Sequence, residues 1–397
     1  MRAILDGIVV ADFSRVLAGP LATAALGDLG ATVIKVESPQ GDDTRAWGPP
    51  FVDGESSYFM SVNRNKRSIA LNLKDPADRA LARKLAVKAD VLVENFRSGV
   101  AERLGLGYDE LSALNPRLVY ASVTGFGANG PGRDKPGYDF MVQALSGLMS
   151  ITGEPQGQPM KVGVAIVDVL TGLNLQSAVL AALYDREHSG QGQRVDVTLL
   201  GSALAGLVNQ ASSWLTAGVE PRRDANVHPS IAPYETLQAA DGMIVLAVGN
   251  DAQFARCAAA LGRPELGDDP RFASNSQRVA HRGALRAALE AALMTRPVTD
   301  WVAALTAAGV ACARVNTISE AFEFADQVGM PATIGITRPD GTTLAQVASP
   351  VSYSSTPVCY RFPPPRLAEH DREIRQWLLD GRQLPLSTQA PEGRVTA

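Results

Sequence analysis

Ile8-Val-Val-Ala-Asp-Phe13, then Leu21-Ala-Thr-Ala-Ala-Leu-Gly-Asp-Leu29, then Thr32-Val-Ile-Lys-Val-Glu37 decide how this chain folds. A short β-branched run, an apolar stretch at helical spacing and a second β-branched run follow with few residues between them. A strand, a helix and a strand joined so closely make a parallel pair with the helix crossing over it. The pattern repeats. Asp90-Val-Leu-Val-Glu94 and Leu118-Val-Tyr-Ala-Ser-Val123 read as strands, with helices over 77–89 and 100–114. Lys161–Val167 reads as a further strand, Leu173–Tyr184 as an apolar helix that stops at Ser189-Gly-Gln-Gly192, and Arg194–Leu199 as a strand. The expected class is α/β, a parallel sheet covered by helices.

Residues 201–227 read as a linker ending in the polar Pro221-Arg-Arg-Asp-Ala. A smaller α+β domain is expected over 228–330. It opens with a hairpin whose Asp241-Gly242 pair supplies the turn, and helices follow over 252–261, 284–293 and 299–307. Residues 331–382, with a hairpin turning at Pro339-Asp340-Gly341 and a short helix over 370–379, read as a return segment that completes the first domain of residues 1–200. Residues 383–397 read as a flexible tail.

The chain has 397 residues, with 37 Lys and Arg against 41 Asp and Glu and a net charge of −4. A nucleic-acid or anionic-membrane partner would more often call for a basic excess, so neither is expected. Cys257, Cys312 and Cys359 lie far apart, which leaves no disulfide framework or zinc ribbon to draw. His188, His228, His281 and His370 are equally scattered, so no metal is expected. Asp6 breaks the apolar N-terminal run, against a signal peptide. No stretch reads as the roughly 18 apolar residues of a membrane span. The expected location is cytoplasmic.

Gly125-Phe-Gly127-Ala-Asn-Gly130 fits the GxGxxG pattern after a strand, yet Pro131-Gly132 and Lys135-Pro136-Gly137 follow where a dinucleotide fingerprint needs a helix. The loop reads instead as a tight turn bordering a ligand. Cations gather in Asn63-Arg64-Asn65-Lys66-Arg67-Ser68 and at Lys74, Arg97, Arg103, Arg133 and Lys135, near strand ends and loops. Such placement suits a phosphorylated ligand in the crevice of the sheet, or else a solvated face. Asp168, at the end of Val162-Gly-Val-Ala-Ile-Val167, reads either as a helix N-cap or as a carboxylate facing that crevice, placed for nucleophilic or base chemistry. Tyr138-Asp139 lies at a helix entrance, where Tyr138 reads as a donor to a substrate oxygen or as an ordinary amphipathic aromatic. Gly249-Asn250-Asp251 reads as a turn with an N-cap, or as a mobile lid hinged on glycine.

These residues and several longer motifs carry a resemblance that runs from Leu5-Asp-Gly-Ile-Val-Val to Pro365-Arg-Leu-Ala-Glu-His370. The motifs are Leu17-Ala-Gly-Pro20, Leu29-Gly-Ala-Thr-Val-Ile-Lys-Val-Glu37, Asn65-Lys-Arg-Ser-Ile69, Val93-Glu-Asn-Phe96, Gly137-Tyr-Asp139, Gly163 to Asp168, His228-Pro-Ser-Ile-Ala-Pro-Tyr234 and Asp269-Pro-Arg-Phe272. The chain resembles the class III CoA-transferases. The resemblance implies a large Rossmann-like CoA-binding domain built from both chain ends, a smaller domain between them, and an interlocked homodimer.

It further implies that Asp168 is the nucleophile, with Tyr138 and Asp139 as the active-site pair. Val16, Leu17, Ala18, Leu71, Lys74, Asn95, Phe96, Arg97 and Arg103 match the CoA-contacting segments, with Arg15 and Lys135 as further phosphate ligands. Gly249, Asn250 and Asp251 match the lid loop. Some members carry a His in place of Arg15, a cation in place of Ser38, or a glycine-richer lid. CoA thioesters are then substrates and no cofactor is held tightly. The branch it resembles most takes succinyl-CoA as donor and a small dicarboxylate as acceptor. Arg15, Arg45 or Lys135 are candidates for the second carboxylate. The nearest alternative is α-methylacyl-CoA racemase, which needs a His and Asp pair to move the α-proton, and this chain has Tyr138 where that His belongs. A CoA- or nucleotide-binding subunit without catalysis and an NAD-linked oxidoreductase are the other readings.

Overall fold

In the computed structural model, which describes residues 2–380, six strands form one parallel sheet. They are β1 (Val9–Asp12), β2 (Thr32–Glu37), β3 (Lys66–Ala70), β4 (Val91–Glu94), β5 (Val119–Thr124) and β6 (Arg194–Thr198). Their order across the sheet is β3-β2-β1-β4-β5-β6. The chain leaves β1 toward β2 and β3 and then returns to the other side of β1, so the connections reverse direction between β1 and β4. That reversal opens a crevice beyond the carboxyl ends of the strands.

Both faces of the sheet are covered, which is why its strands read as nearly continuous apolar runs. Alternate residues go to opposite sides. Val10, Val33, Val91, Val93 and Val119 pack against helix α1 (Ala18–Asp28). Ala11, Ile34, Leu92 and Tyr120 pack against α2 (Pro76–Lys88) and the C-terminal helix Asp371–Asp380, through Leu81, Leu85, Ile374 and Leu378. The short α3 (Asp139–Leu145) is followed, on the α1 side, by the long α4 (Ile166–Ser189) and by α5 (Leu199–Gly206). Gly172 lets α4 approach α1, since a Cβ there would sit 2.8 Å from the Ala18 carbonyl oxygen.

The last part of this unit runs along the edge strand β3. Asn65 accepts from the Arg361 and Phe362 N–H groups and donates its own N–H to the Phe362 oxygen. Ser68 Oγ accepts from Ala368 N, and the Ser68 N–H donates to His370 Nδ1. An edge that would otherwise expose a row of unpaired backbone groups is thereby covered.

The chain divides into two compact units. Among the described residues one comprises 2–148, 161–219 and 330–380, and the other 149–160 and 220–329. The second holds an antiparallel sheet of β7 (Tyr234–Ala239), β8 (Gly242–Ala247) and β9 (Ala311–Arg314), with Leu237, Ile244 and Leu246 buried among Phe254, Leu285, Leu289 and Trp301.

Five readings of the sequence are corrected. Residues 161–165 are irregular and 166–167 open α4, so no strand precedes Asp168. The Gly163 and Val164 stretch is exposed, and its apolar residues belong to a helix entrance rather than a sheet. Residues 201–227 are not a plain linker, because α5 and the helix Val208–Ala217 occupy most of them. Helix 100–114 is two helices, Val100–Arg103 and Tyr108–Leu114, parted by Gly105 in the left-handed region. Residues 149–160 belong with the second unit. Finally, α4 is 24 residues long with a mean hydropathy of 1.6 over its most apolar window, enough by length and composition to cross a membrane. Here it is a helix of the sheet's covering layer, with Val167, Leu175, Val179 and Leu183 in the core. The tail at 383–397 and residues 381–382 lie outside the described residues.

Candidate active site

A cavity of about 560 Å³ opens at the reversal point of the large sheet. Its walls are the segments that leave the strands. Arg15, Val16, Leu17 and Ala18 follow β1, and Asn95, Phe96, Arg97 and Ser98 follow β4. Val123 and Thr124 end β5 with Gly125 next in the chain, and Leu199 follows β6. Arg133 to Tyr138 close another side. Gly125 and Gly137 pack backbone on backbone, since a Cβ on Gly125 would fall 2.7 Å from the Gly137 Cα. The first glycine of the misleading GxGxxG run thus serves a close approach of two loop segments, and no long helix follows the run.

Asp168 enters this cavity from the first turn of α4. Its carboxyl is pushed up to about 7, first by burial and then by the nearby Asp139 carboxylate. Asp139 does not line the cavity. One of its oxygens instead accepts from the N–H groups of Val167 at 2.8 Å and Asp168 at 3.4 Å. No side chain of the N-cap residue Ala165 does this work, so Asp139 caps α4 from the neighbouring helix. The N-cap reading placed the cap on Asp168, but the capping residue is Asp139. Tyr138 lines the cavity and is exposed.

The loop after β1 is held from beneath by buried charge. Asn95 Oδ1 accepts from Arg15 N, and Asn95 Nδ2 donates to Arg15 O. Val16 sits at φ 71°, a left-handed conformation costing a β-branched residue about 1–3 kcal/mol. Its N–H faces the Asp42 carboxylate, which pairs at 2.9 Å with the fully buried Lys35. Lys35 also donates to the Ser14 oxygen. Asp12 accepts from Ser14 and Thr23 and pairs at 3.0 Å with Lys66, also fully buried. Burial pushes the Asp12 carboxyl up, but Lys66, Lys35 and the hydrogen bonds from Ser14 and Thr23 together bring it below the ordinary carboxylate range.

The structure therefore brings together Asp168, Tyr138, Arg15, Val16, Leu17, Ala18, Asn95, Phe96, Arg97, Arg103 and Lys135 around one cavity. It leaves out two. Leu71 is buried in the core with Ile69 and Leu85, and Lys74 is exposed; neither reaches the cavity wall. The cation run Asn63–Ser68 is no phosphate site either. Arg64 pairs with Asp28 at 2.6 Å, Lys66 with Asp12, and Arg67 with Glu373 at 3.2 Å. Arg45 is committed to Glu37 and lies over the Phe59 ring, which removes it as a carboxylate receptor. Among the described residues Arg97, Arg103 and Lys135 form no ion pair, while Arg15 faces Asp43 at 3.5 Å in an exposed contact.

Gly249-Asn250-Asp251 forms the entrance to α6 (Asp251–Ala260) in the second unit. Asn250 Oδ1 accepts from Gln253 N, the Gly249 N–H donates to Gln253 Oε1, and Asp251 accepts from the buried Arg278 at 2.7 Å. Among the described residues no group of three or more His, Cys, Asp or Glu is placed to hold a metal.

Sequence reasoning missed Tyr58. Its hydroxyl is pushed up to about 12 by burial, with the carboxylates of Asp168, Asp139 and Asp42 adding to the rise. The Tyr58 phenol thus stays neutral within electrostatic reach of the Asp168 carboxyl, while Trp47 meets the Tyr58 ring edge-on at 5.2 Å. Glu55–Ser61 contains no spacing or motif that would single Tyr58 out.

The geometry agrees with what the chain is similar to. The model for CoA-transferase family III matches residues 5–371. A succinate–glutarate CoA-transferase of Agrobacterium fabrum is 45% identical over 377 residues, covering 93% of this chain and 94% of that protein. The succinyl-CoA:glutarate CoA-transferase of Mus musculus is 40% identical over 376 residues, covering 94% and 86%. The crystal structure of a CaiB/BaiF family protein from Brucella suis superposes with a TM-score of 0.85 at 42% identity, over 95% of this chain and all of that one. With a match that spans nearly the whole chain, the protein belongs to CoA-transferase family III and is a class III CoA-transferase.

Proposed function

We propose that this enzyme moves CoA from succinyl-CoA to a small dicarboxylate, glutarate first among them, through covalent intermediates on Asp168. One observation carries the reading: a half-buried carboxyl in the first turn of a helix projects into a cavity walled by cations. A carboxylate is a weak nucleophile, but a thioester is an activated acyl donor. The Asp168 carboxylate oxygen adds to the thioester carbonyl, the C–S bond breaks, and CoA leaves as thiolate with the acyl group held as a mixed anhydride. The thiolate adds to the aspartyl carbonyl, expelling the donor carboxylate and leaving an aspartyl–CoA thioester. An acceptor carboxylate attacks that thioester, and the returning thiolate carries CoA to the acceptor while the Asp168 carboxylate is restored.

Water would drain the anhydride, so the site must be closed while it exists. In this reading Gly249-Asn250-Asp251 serves as the lid, although the Gly249 N–H is held by Gln253 and is not free to stabilise an oxyanion. The better donors are the N–H groups at the start of α1, a helix that no side chain caps and whose residue Ala18 lines the cavity with Asp168. The neutral Tyr58 hydroxyl is a further donor near Asp168. The chain works as an interlocked homodimer in the cytoplasm, with CoA thioesters as substrates and no resident cofactor.

The test incubates the enzyme with succinyl-CoA and a panel of carboxylic acids and reads new CoA thioesters by mass spectrometry. Glutaryl-CoA or a close diacid thioester is expected. Deuterium uptake at the α-carbon of a 2-methylacyl-CoA, with no transfer, would favour the racemase instead. Ala substitutions at Arg97, Arg103 and Lys135 are expected to raise KM for the acyl-CoA several-fold with little change in kcat. The loss should shrink at high salt, as for contacts to phosphates at an open rim. The pH profile of kcat/KM is expected to rise toward a limb near 7, where Asp168 ionises in the free enzyme. A limb near 4 would contradict that assignment.

A further inference from the structure

Asp139 holds the first turn of α4, and a buried side chain one turn later holds Asp139. Gln143 lies one turn later on α3 and is fully buried. Its Nε2 donates to the second Asp139 oxygen at 2.7 Å and lies 3.5 Å from the Val164 oxygen. Its Oε1 accepts from the Val162 N–H at 2.9 Å. One amide thus grips both the irregular segment that leads into α4 and the carboxylate that caps it.

We infer that Gln143 is a positioning residue for Asp168, acting through Asp139 and the 162–167 backbone rather than on the substrate. This rests on the proposed role of Asp168 as nucleophile. An Asp139 carboxylate gripped on one oxygen only would be free to rotate. Rotation releases the Val167 and Asp168 N–H groups, and the turn that aims Asp168 at the thioester loosens. A nucleophile misplaced by about 1 Å costs on the order of a hundredfold in rate, while ground-state binding of a large ligand such as CoA hardly feels it. Gln143 itself is not on the cavity wall. The ionisable group that acts on the Asp168 carboxyl is Asp139 from α3, while the Asp168 carboxylate in turn adds to the rise of the Tyr58 hydroxyl.

The experiment compares Gln143→Leu, Gln143→Glu and Asp168→Asn in the full-length enzyme, with folding followed by circular dichroism. Gln143→Leu is expected to lower kcat by about 10- to 100-fold with KM for the acyl-CoA within about threefold. Gln143→Glu keeps the acceptor for Val162 but sets a second carboxylate against Asp139, so the acid limb of kcat/KM should move to higher pH. A folded Gln143→Leu with kcat within twofold of the parent, beside an inactive Asp168→Asn, would sink the positioning role alone. A KM that rises in step with the loss of kcat would sink it too, by pointing to general damage. An active Asp168→Asn would instead overturn the reading of Asp168. Should Gln143→Leu not fold, an unmoved acid limb in Gln143→Glu counts against the inference and a raised one supports it.

Discussion

Asp168→Asn is expected to lose transfer by at least about a thousandfold and to make the free protein more stable at pH 8. The first effect follows from replacing the carboxylate nucleophile by a neutral, far less nucleophilic amide. The second follows from linkage. The Asp168 carboxyl titrates near 7 in the folded chain against an ordinary value of 3.8, so between those pH values the folded state binds the extra proton. Stability contributed by this group is therefore present at low pH and lost as pH rises toward 7, by up to about 4 kcal/mol. Asn carries no charge to bury. The variant should exceed the parent in denaturant midpoint at pH 8, and the gap should close toward pH 4. A variant less stable than the parent at pH 8 would mean that burial does not burden the ionised Asp168.

The second large effect is expected at the buried charges beneath the cavity. Lys66→Met leaves the Asp12 carboxylate buried without its direct partner and removes donors to Pro20 O and Asn63 Oδ1. Breaking such a pair from one side costs about 3–5 kcal/mol, whereas replacing both partners by apolar groups costs much less. Lys66→Met should therefore be markedly less stable, and adding Asp12→Leu should recover part of the loss. Burial, the largest influence on Lys66, pulls its ammonium down to about 8 from 10.5. The unfolded chain then binds the extra proton between those values, so parent stability should gain from this group over that window and Lys66→Met should lack the gain. Equal losses in single and double variants would contradict the account, as would a pH profile shared by parent and variant.

The buried pair also shows where the sequence misleads. Lys66 and Arg67 stand in a run of cations that reads as a solvated or phosphate-binding face, yet Lys66–Ala70 is a buried strand. Charge hides a strand whenever its partners are distant in sequence, as Asp12 and Glu373 are here. The apolar Val162–Val167 misleads in the opposite sense, because β-branched residues at a helix entrance resemble a strand end. The site was more legible than the local structure around it. Asp168 stands out because one acidic residue follows an apolar run, and the segments after β1 and β4 carry motifs. Tyr58 and Gln143 carry none, and their importance comes only from the folding of distant segments around Asp168.

The most direct test mixes the enzyme with succinyl-CoA and no acceptor, quenches it, and maps the peptides by mass spectrometry. CoA or succinyl mass on the peptide containing Asp168, absent in Asp168→Asn, is the predicted result. Turnover of acceptor with that peptide unmodified at every time point, or a label on another residue, would contradict covalent catalysis by Asp168.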